Sequence, residues 1–267
     1  MDLDTPIYRF QSFRYMPQLL GGTLTLVLPS CWPDPFEKLA PSFSSVTFLQ
    51  NEKWEHVMLN TRTLPVFAQC WGTLAESDAL WRIYSCMPRD PNARDEVSAD
   101  EGVRIRTTPR KLLNALTGGL GNTRSGNCFI APVKYLDQQA FLQEMANRIA
   151  ADRDAGFCSV KAHANYLLLK RDAFCHEHEV RLIYVDKDQE FGNRNHIDCP
   201  VDANTLIEQI TLDPRLLPDQ EGARIKKLRD DGFRGTINKS ELYSMVVLNV
   251  VLDNKPVDVR GGNVTPS

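Results

Sequence analysis

The chain has 267 residues, 42% of them hydrophobic and 24% charged, an ordinary balance for a globular protein with room for one sizeable domain or two small ones. A formal net charge of -3 gives no overall pull toward nucleic acid or an anionic membrane, and leaves a local basic patch open. Seven cysteines without a spacing pattern argue against a disulfide framework and for a reducing cytoplasm. The opening MDLDTPIYRF lacks the apolar core of a signal peptide, and no apolar run approaches the roughly 18 residues of a membrane span, so no membrane role is expected.

Ile7 to Phe10 reads as a short strand, and Met16 to Leu20 as a helix stopped by Gly21 and Gly22. Thr23 to Leu28 follows as a strand closed by Pro29 and Ser30. In Cys31 to Glu37 two prolines bracket Asp34, giving a rigid turn that cannot enter a sheet or helix interior. It is a connector, or it aims Asp34 and Glu37 at a site beside the strand end. Residues 38–65 are mixed, with Ser42 to Ser45 loop-like and Trp54 to Leu59 weakly periodic. Leu64 to Trp71 is a candidate core strand with Pro65 at its start.

Ala75 to Ser85 reads as a helix with acids in its first turn, placing Trp81 and Tyr84 on one face. That pair is core, or a ring wall for a planar ligand. Residues 86–100 form a polar loop with two prolines. Gly102 to Thr107 alternates as a strand, and Thr108 caps a helix from Pro109 to Leu116 that Gly118 and Gly119 end. The glycine cluster at 118–126 has neither dinucleotide-fingerprint nor P-loop spacing and reads as a flexible loop, with a mobile lid as the alternative. Asn127 to Val133 is a strand, and Gln138 to Ala151 an amphipathic helix marked by Phe141, Leu142, Met145 and Ile149.

Lys161 to Lys170 is a helix, Leu206 to Leu212 a strand, and Ala223 to Asp230 a basic, solvated helix. Thr236-Ile237 and Ser244 to Leu252 supply the last strands before a polar tail. With no repeat and no clean boundary, one α+β domain over 1–267 fits, with a split antiparallel or mixed sheet and flanking helices. The 86–100 and 118–126 loops are insertions in it.

The chemistry concentrates in Phe174 to Asp186, FCHEHEVRLIYVD. Strand alternation places Glu177, Glu179 and Arg181 on one face and His176 and His178 on the other. Two carboxylates leading into an apolar strand are costly unless paired or used. Pairing of Glu179 by Arg181 at an exposed edge is the plain explanation. Zinc finds little support, because no HExxH or CxxC spacing is present.

Several short motifs occur in an order that resembles the bacterial domain-of-unknown-function family 2971. They are Tyr8-Arg9-Phe10, Asp34-Pro35-Phe36-Glu37, Leu80-Trp81 with Tyr84, Gly102-Val103 and Glu177-x-Glu179-x-Arg181-Leu182-Ile183. Ile210-Thr211-Leu212-Asp213-Pro214 and Lys239-Ser240 continue the match near the C-terminus. The layout of an aromatic-basic strand, a short helix, glycine, a second strand and a late Glu-x-Glu strand also resembles the ADP-ribosyltransferase fold. That resemblance implies NAD as substrate and a macromolecular acceptor, protein, DNA or RNA. A toxin or anti-phage defence effector with a neutralising partner is the setting it implies.

The same resemblance implies roles for residues. Glu179 stabilises the ribosyl cation, Glu177 acts on the nucleophile, and Arg9 grips the pyrophosphate. Tyr8 or Arg9 lines the pocket, Trp81 or Tyr84 stacks on a base, Asp34 and Glu37 shape the site, and Arg181 neutralises or positions Glu179. The Ser-Thr-Ser element of transferases with a first-strand arginine is not evident, and Leu28-Pro29-Ser30 substitutes for it poorly. Two further readings stay open: a binding module for a nucleotide or nucleic acid without catalysis, and a metal-dependent nuclease built from Asp34, Glu37, Glu177 and Glu179.

Overall fold

The computed structural model describes residues 1–38, 45–59, 63–86, 101–192, 194–250 and 259–263. The first part of the chain runs β1 (Ile7–Ser12), α1 (Met16–Leu20), β2 (Thr23–Val27), α2 (Pro35–Lys38), β3 (Ser45–Gln50), β4 (Lys53–Met58), β5 (Val66–Gly72) and α3 (Asp78–Tyr84). Then come β6 (Gly102–Thr107), α4 (Pro109–Leu120), β7 (Cys128–Pro132), β8 (Lys134–Leu136), α5 (Gln138–Ala151), α6 (Val160–Tyr166), β9 (Leu169–Arg171) and β10 (Glu179–Val185). The last part holds β11 (His196–Pro200), α7 (Ala203–Leu206), β12 (Gln209–Leu212), α8 (Pro218–Asp230), β13 (Thr236–Lys239), β14 (Val246–Val250) and β15 (Val259–Asn263).

The fold is α+β, with one nine-stranded mixed sheet and helices around it. The sheet is split near its middle. β1 pairs with β6 along its whole length, yet touches β5 only at Tyr8 opposite Gly72. β2 meets β5 only at Val27 opposite Ala68. On its other edge β5 runs in full antiparallel register with β10, which in turn pairs with β7. So β1 and β5 diverge beyond a single bridge, and their separating edges leave a cleft.

β10 is buried at all seven positions because both of its faces are covered. Val180, Leu182 and Tyr184 enter the main core with Phe67, Leu112 and Leu116. Ile183 and Val185 face Ala164 and Leu167 around α6. Glu179 and Arg181 share that second face by alternation, which puts two charges into a buried layer.

Several expectations from the sequence change here. The stretch before β10 is not strand: Asp172–Glu177 is a 3-10 turn, and His178 closes it in the left-handed region at φ 45°. The alternation argument therefore begins only at Glu179. The glycine cluster is no free loop, since α4 runs through Gly118 and Gly119 to Leu120 and a 3-10 turn covers Asn122–Asn127. Pro35 opens the short helix α2 inside the expected turn. Within the region read as mixed, β3 and β4 form a hairpin. β11 was not foreseen, and Leu206 ends a helix before β12 begins at Gln209. Leu142, assigned to the apolar side of α5, is 50% exposed. Of the polar loop expected at 86–100, residues 87–100 lie outside the described residues, as do 42–44 of the loop-like stretch near Ser45. Among the described residues no helix is long and apolar enough to cross a membrane.

Candidate active site

The cleft at the sheet split encloses a cavity of only about 30 Å³ and is lined by Tyr8, Arg9, Phe10, Cys70, Trp71, Gly72, Leu80, Tyr84, Glu177 and Glu179. It runs along the parting edge of β1, so consecutive residues of that strand reach it. Gly72 makes the geometry possible: a Cβ there would sit 3.0 Å from the Glu177 carbonyl oxygen. The backbone that carries the two glutamates can thus come close to the end of β5, and the Thr73 N–H donates to the His178 carbonyl at 3.0 Å.

The floor is a buried charge network. Glu179, 3% exposed, accepts from Arg181 Nε at 3.0 Å on one oxygen. Its other oxygen accepts from Arg181 Nη2 at 2.9 Å and from Lys170 Nζ at 3.2 Å. Lys170 also donates to Glu177 at 2.7 Å and lies 3.5 Å from Glu37. Arg181 joins Glu37 as well, and its Nη1 donates to the Leu167 carbonyl. The Glu179 backbone N–H donates to the Tyr135 hydroxyl at 2.8 Å, which anchors the start of β10. Three carboxylates face two cations in this network, so it keeps one negative charge.

The environment sets protonation. Burial pushes the Glu179 carboxyl up, but Arg181 and then Lys170 more than offset it and hold the group below its ordinary value. Burial pushes the Lys170 ammonium down, and Glu179, Glu37 and Glu177 together hold it above its usual range. The Cys70 thiol is raised well above its ordinary value by burial and by Glu179, which keeps it a neutral donor. Burial and the Glu177 charge push the Tyr84 phenol up to about 12.

Across the cleft stands Arg9. Its Nε donates to Gln11 at 3.0 Å and its Nη1 to the Cys70 carbonyl at 3.3 Å. Among the described residues it has no ion-pair partner, and burial lowers its pKa from the ordinary value. A half-buried guanidinium with neutral acceptors only keeps donors free for an anion.

Of the residues singled out from sequence, Tyr8, Arg9, Tyr84, Glu177 and Glu179 meet in this cleft. The Tyr8 ring lies under the Arg104 guanidinium, 5.3 Å away. Arg181 and Glu37 lie behind the floor, at 1% and 4% side-chain exposure. Asp34 is buried against Arg171 at 2.9 Å and does not line the cleft. Ser30 sits on an exposed 3-10 turn away from it. Trp81 is fully buried, edge-on to Phe10 at 4.9 Å with its indole N–H on Glu76, and offers no stacking face. Lys170 and Cys70 were missed. Lys170 stands seven positions before Glu177 beyond a turn, a spacing that signals nothing by itself.

A divalent cation at the acidic cluster would need the place that Lys170 and Arg181 take. Asp34, the fourth acid of that reading, is paired separately with Arg171. Among the described residues no three His, Cys, Asp or Glu side chains group as metal ligands.

No family model matches the chain, and no curated protein matches it. Among solved structures it is similar to Thermus sp. 2.9 DarT in complex with NAD+, with 14% identity over 90% of this chain and 97% of that one and a TM-score of 0.38. It is also similar to the same protein in complex with ADP-ribosylated ssDNA, with 13% identity, 89% and 95% covered and a TM-score of 0.37. At these values the likeness carries no conclusion about the chemistry of this chain.

Proposed function

We propose that the protein is an NAD-dependent ADP-ribosyltransferase acting on a macromolecular acceptor. The observation that carries this reading is the charge arrangement of one cleft, an Arg9 that has neutral acceptors but no ion-pair partner among the described residues, with a carboxylate floor carrying one negative charge in excess. NAD has the matching polarity, with a cationic nicotinamide ring beyond one ribose and an anionic pyrophosphate on the other side of it.

In this reading the Arg9 guanidinium takes the pyrophosphate in a forked charge-assisted contact. Glu179, fixed as a carboxylate, faces the ribose carbon where positive charge grows as nicotinamide leaves. One well-placed group of this kind contributes on the order of 3 kcal/mol to the barrier. Glu177, with 21% of its side chain exposed, is the accessible acid and takes the proton of the incoming nucleophile. Tyr84, still a neutral phenol at physiological pH, packs its ring on the bound base. The acceptor is a protein, DNA or RNA nucleophile. As a toxin or defence effector, such a transferase calls for a neutralising partner.

The engagement of both Glu179 oxygens by Arg181 and Lys170 favours one competing reading, a nucleotide-binding module without turnover. The test is to incubate the protein with adenylate-labelled NAD and separate pools of protein, DNA and RNA. Free nicotinamide with label covalently fixed in one pool is expected, unaffected by EDTA. NAD binding without nicotinamide release would establish the binding module instead, and no binding at all would remove NAD from the account.

A further inference from the structure

Lys170 is 6% exposed and does not line the cleft, yet it is the cation that touches every carboxylate of the floor. Its ammonium lies 2.7 Å from Glu177, 3.2 Å from Glu179 and 3.5 Å from Glu37. The titratable and charged groups around it and the adjoining Glu179 are Arg181 of β10, Glu177 of the preceding turn, Glu37 of α2, Tyr135 of β8 and the Cys70 thiol of β5. The Phe174 ring covers its remaining side at 5.0 Å. Arg171, its neighbour in sequence, points elsewhere and serves Asp34.

Without Lys170 the network would hold three carboxylates against the single charge of Arg181. Arg181 makes no ion pair with Glu177, which among the described residues pairs with Lys170 alone. The like charges of Glu177 and Glu179 would then repel across the floor. We propose that Lys170 is the positioning residue of the site: its ammonium clamps Glu177 beside Glu179 so that two carboxylates stand together and charged in one cleft. Arg181 holds Glu179 alone, whereas Lys170 sets the relation between the two acids. The rate measurements below rest on the transferase reading; the carboxyl titration does not.

The test compares Lys170→Met with Lys170→Arg in two ways. In a carbon-13 titration of glutamate carboxyls, without NAD, the Glu179 carboxyl of Lys170→Met is expected to titrate about one pH unit or more above that of the unsubstituted protein. Lys170→Arg is expected to restore the original position. In NAD turnover, the acid limb of the rate profile moves upward by the same interval. Below the limb kcat then falls about tenfold for each unit moved, with KM nearly unchanged. Lys170→Arg, which keeps the charge, retains a kcat closer to that of the unsubstituted protein than Lys170→Met does.

If Lys170→Met does not fold, the double variant Lys170→Met, Glu177→Gln carries the test, because it removes the ammonium together with one carboxylate. The proposal expects the double variant to fold and to melt nearer the parent than Lys170→Met does. An unmoved Glu179 titration in Lys170→Met, or a double variant no more stable than the single one, would make Lys170 mere filling and overturn the proposal. Absence of NAD turnover in the unsubstituted protein overturns the transferase reading and leaves the titration to decide on Lys170.

Discussion

Glu179 shows how far a single residue belongs to both fold and chemistry. Its carboxylate lies in a buried layer and is matched by Arg181 and Lys170, so Glu179→Gln leaves two buried cations short of an acceptor. Breaking one partner of such a cluster costs about 3–5 kcal/mol, and a clear fall in denaturant midpoint is expected. The pH dependence has a definite sign. The folded carboxyl is held below its ordinary value of 4.5, so its contribution is complete above that value and is lost as pH falls through the lower folded value. Acid unfolding curves of the two proteins should therefore converge in strongly acidic solution; curves that stay parallel there would contradict the assignment. Glu177, Glu179 and Arg181 were legible in the sequence because charge before an apolar strand is costly. Glu37 was legible as an acid held by the proline-bracketed turn, whereas Lys170 was not, since it reaches the network from an element whose own sequence is unremarkable. Trp81 and Tyr84 were equivalent on spacing alone, and only packing against Phe10 separates the core ring from the cleft ring.

At the scale of elements, the glycines of α4 give the sharpest contrast. A Cβ on Gly119 would lie 2.7 Å from the Pro200 carbonyl oxygen and 3.3 Å from Cys199 Cβ, both on β11. A Cβ on Gly118, one position earlier in the same helix, meets nothing within 4 Å. Gly119→Ala must push α4 away from β11 and should destabilise by about 1–3 kcal/mol. Gly118→Ala should stabilise by roughly 0.5–1 kcal/mol through the unfolded chain and helix propensity. Thermal melts of the two variants should move in opposite directions; a shared direction would contradict the packing. The sequence reading ended this helix at the glycines because local propensity weighs against them, and the tertiary contact with β11 outweighs that preference. β11 itself was hard to see, for its buried positions are only Ile197 and Cys199 between exposed neighbours. α5 and β6 were legible at their true bounds, because caps and hydrophobic period agreed there.

For the whole molecule, the defining feature is the split of the sheet between β1 and β5. The α+β class and a divided sheet could be inferred from the order of elements. The place of the division could not, because it depends on pairings such as Tyr8 with Gly72 that no local pattern encodes. The split leaves Arg9 half-buried and without an ion-pair partner among the described residues, an arrangement an anionic ligand would complete. Calorimetric titration with NAD of the unsubstituted protein and of Arg9→Met tests this most directly. The expected result is saturable binding that weakens about tenfold or more in Arg9→Met, with an unfolding midpoint unchanged or higher. Equal affinity in the two proteins, or a loss of affinity that merely tracks a loss of stability, would contradict it.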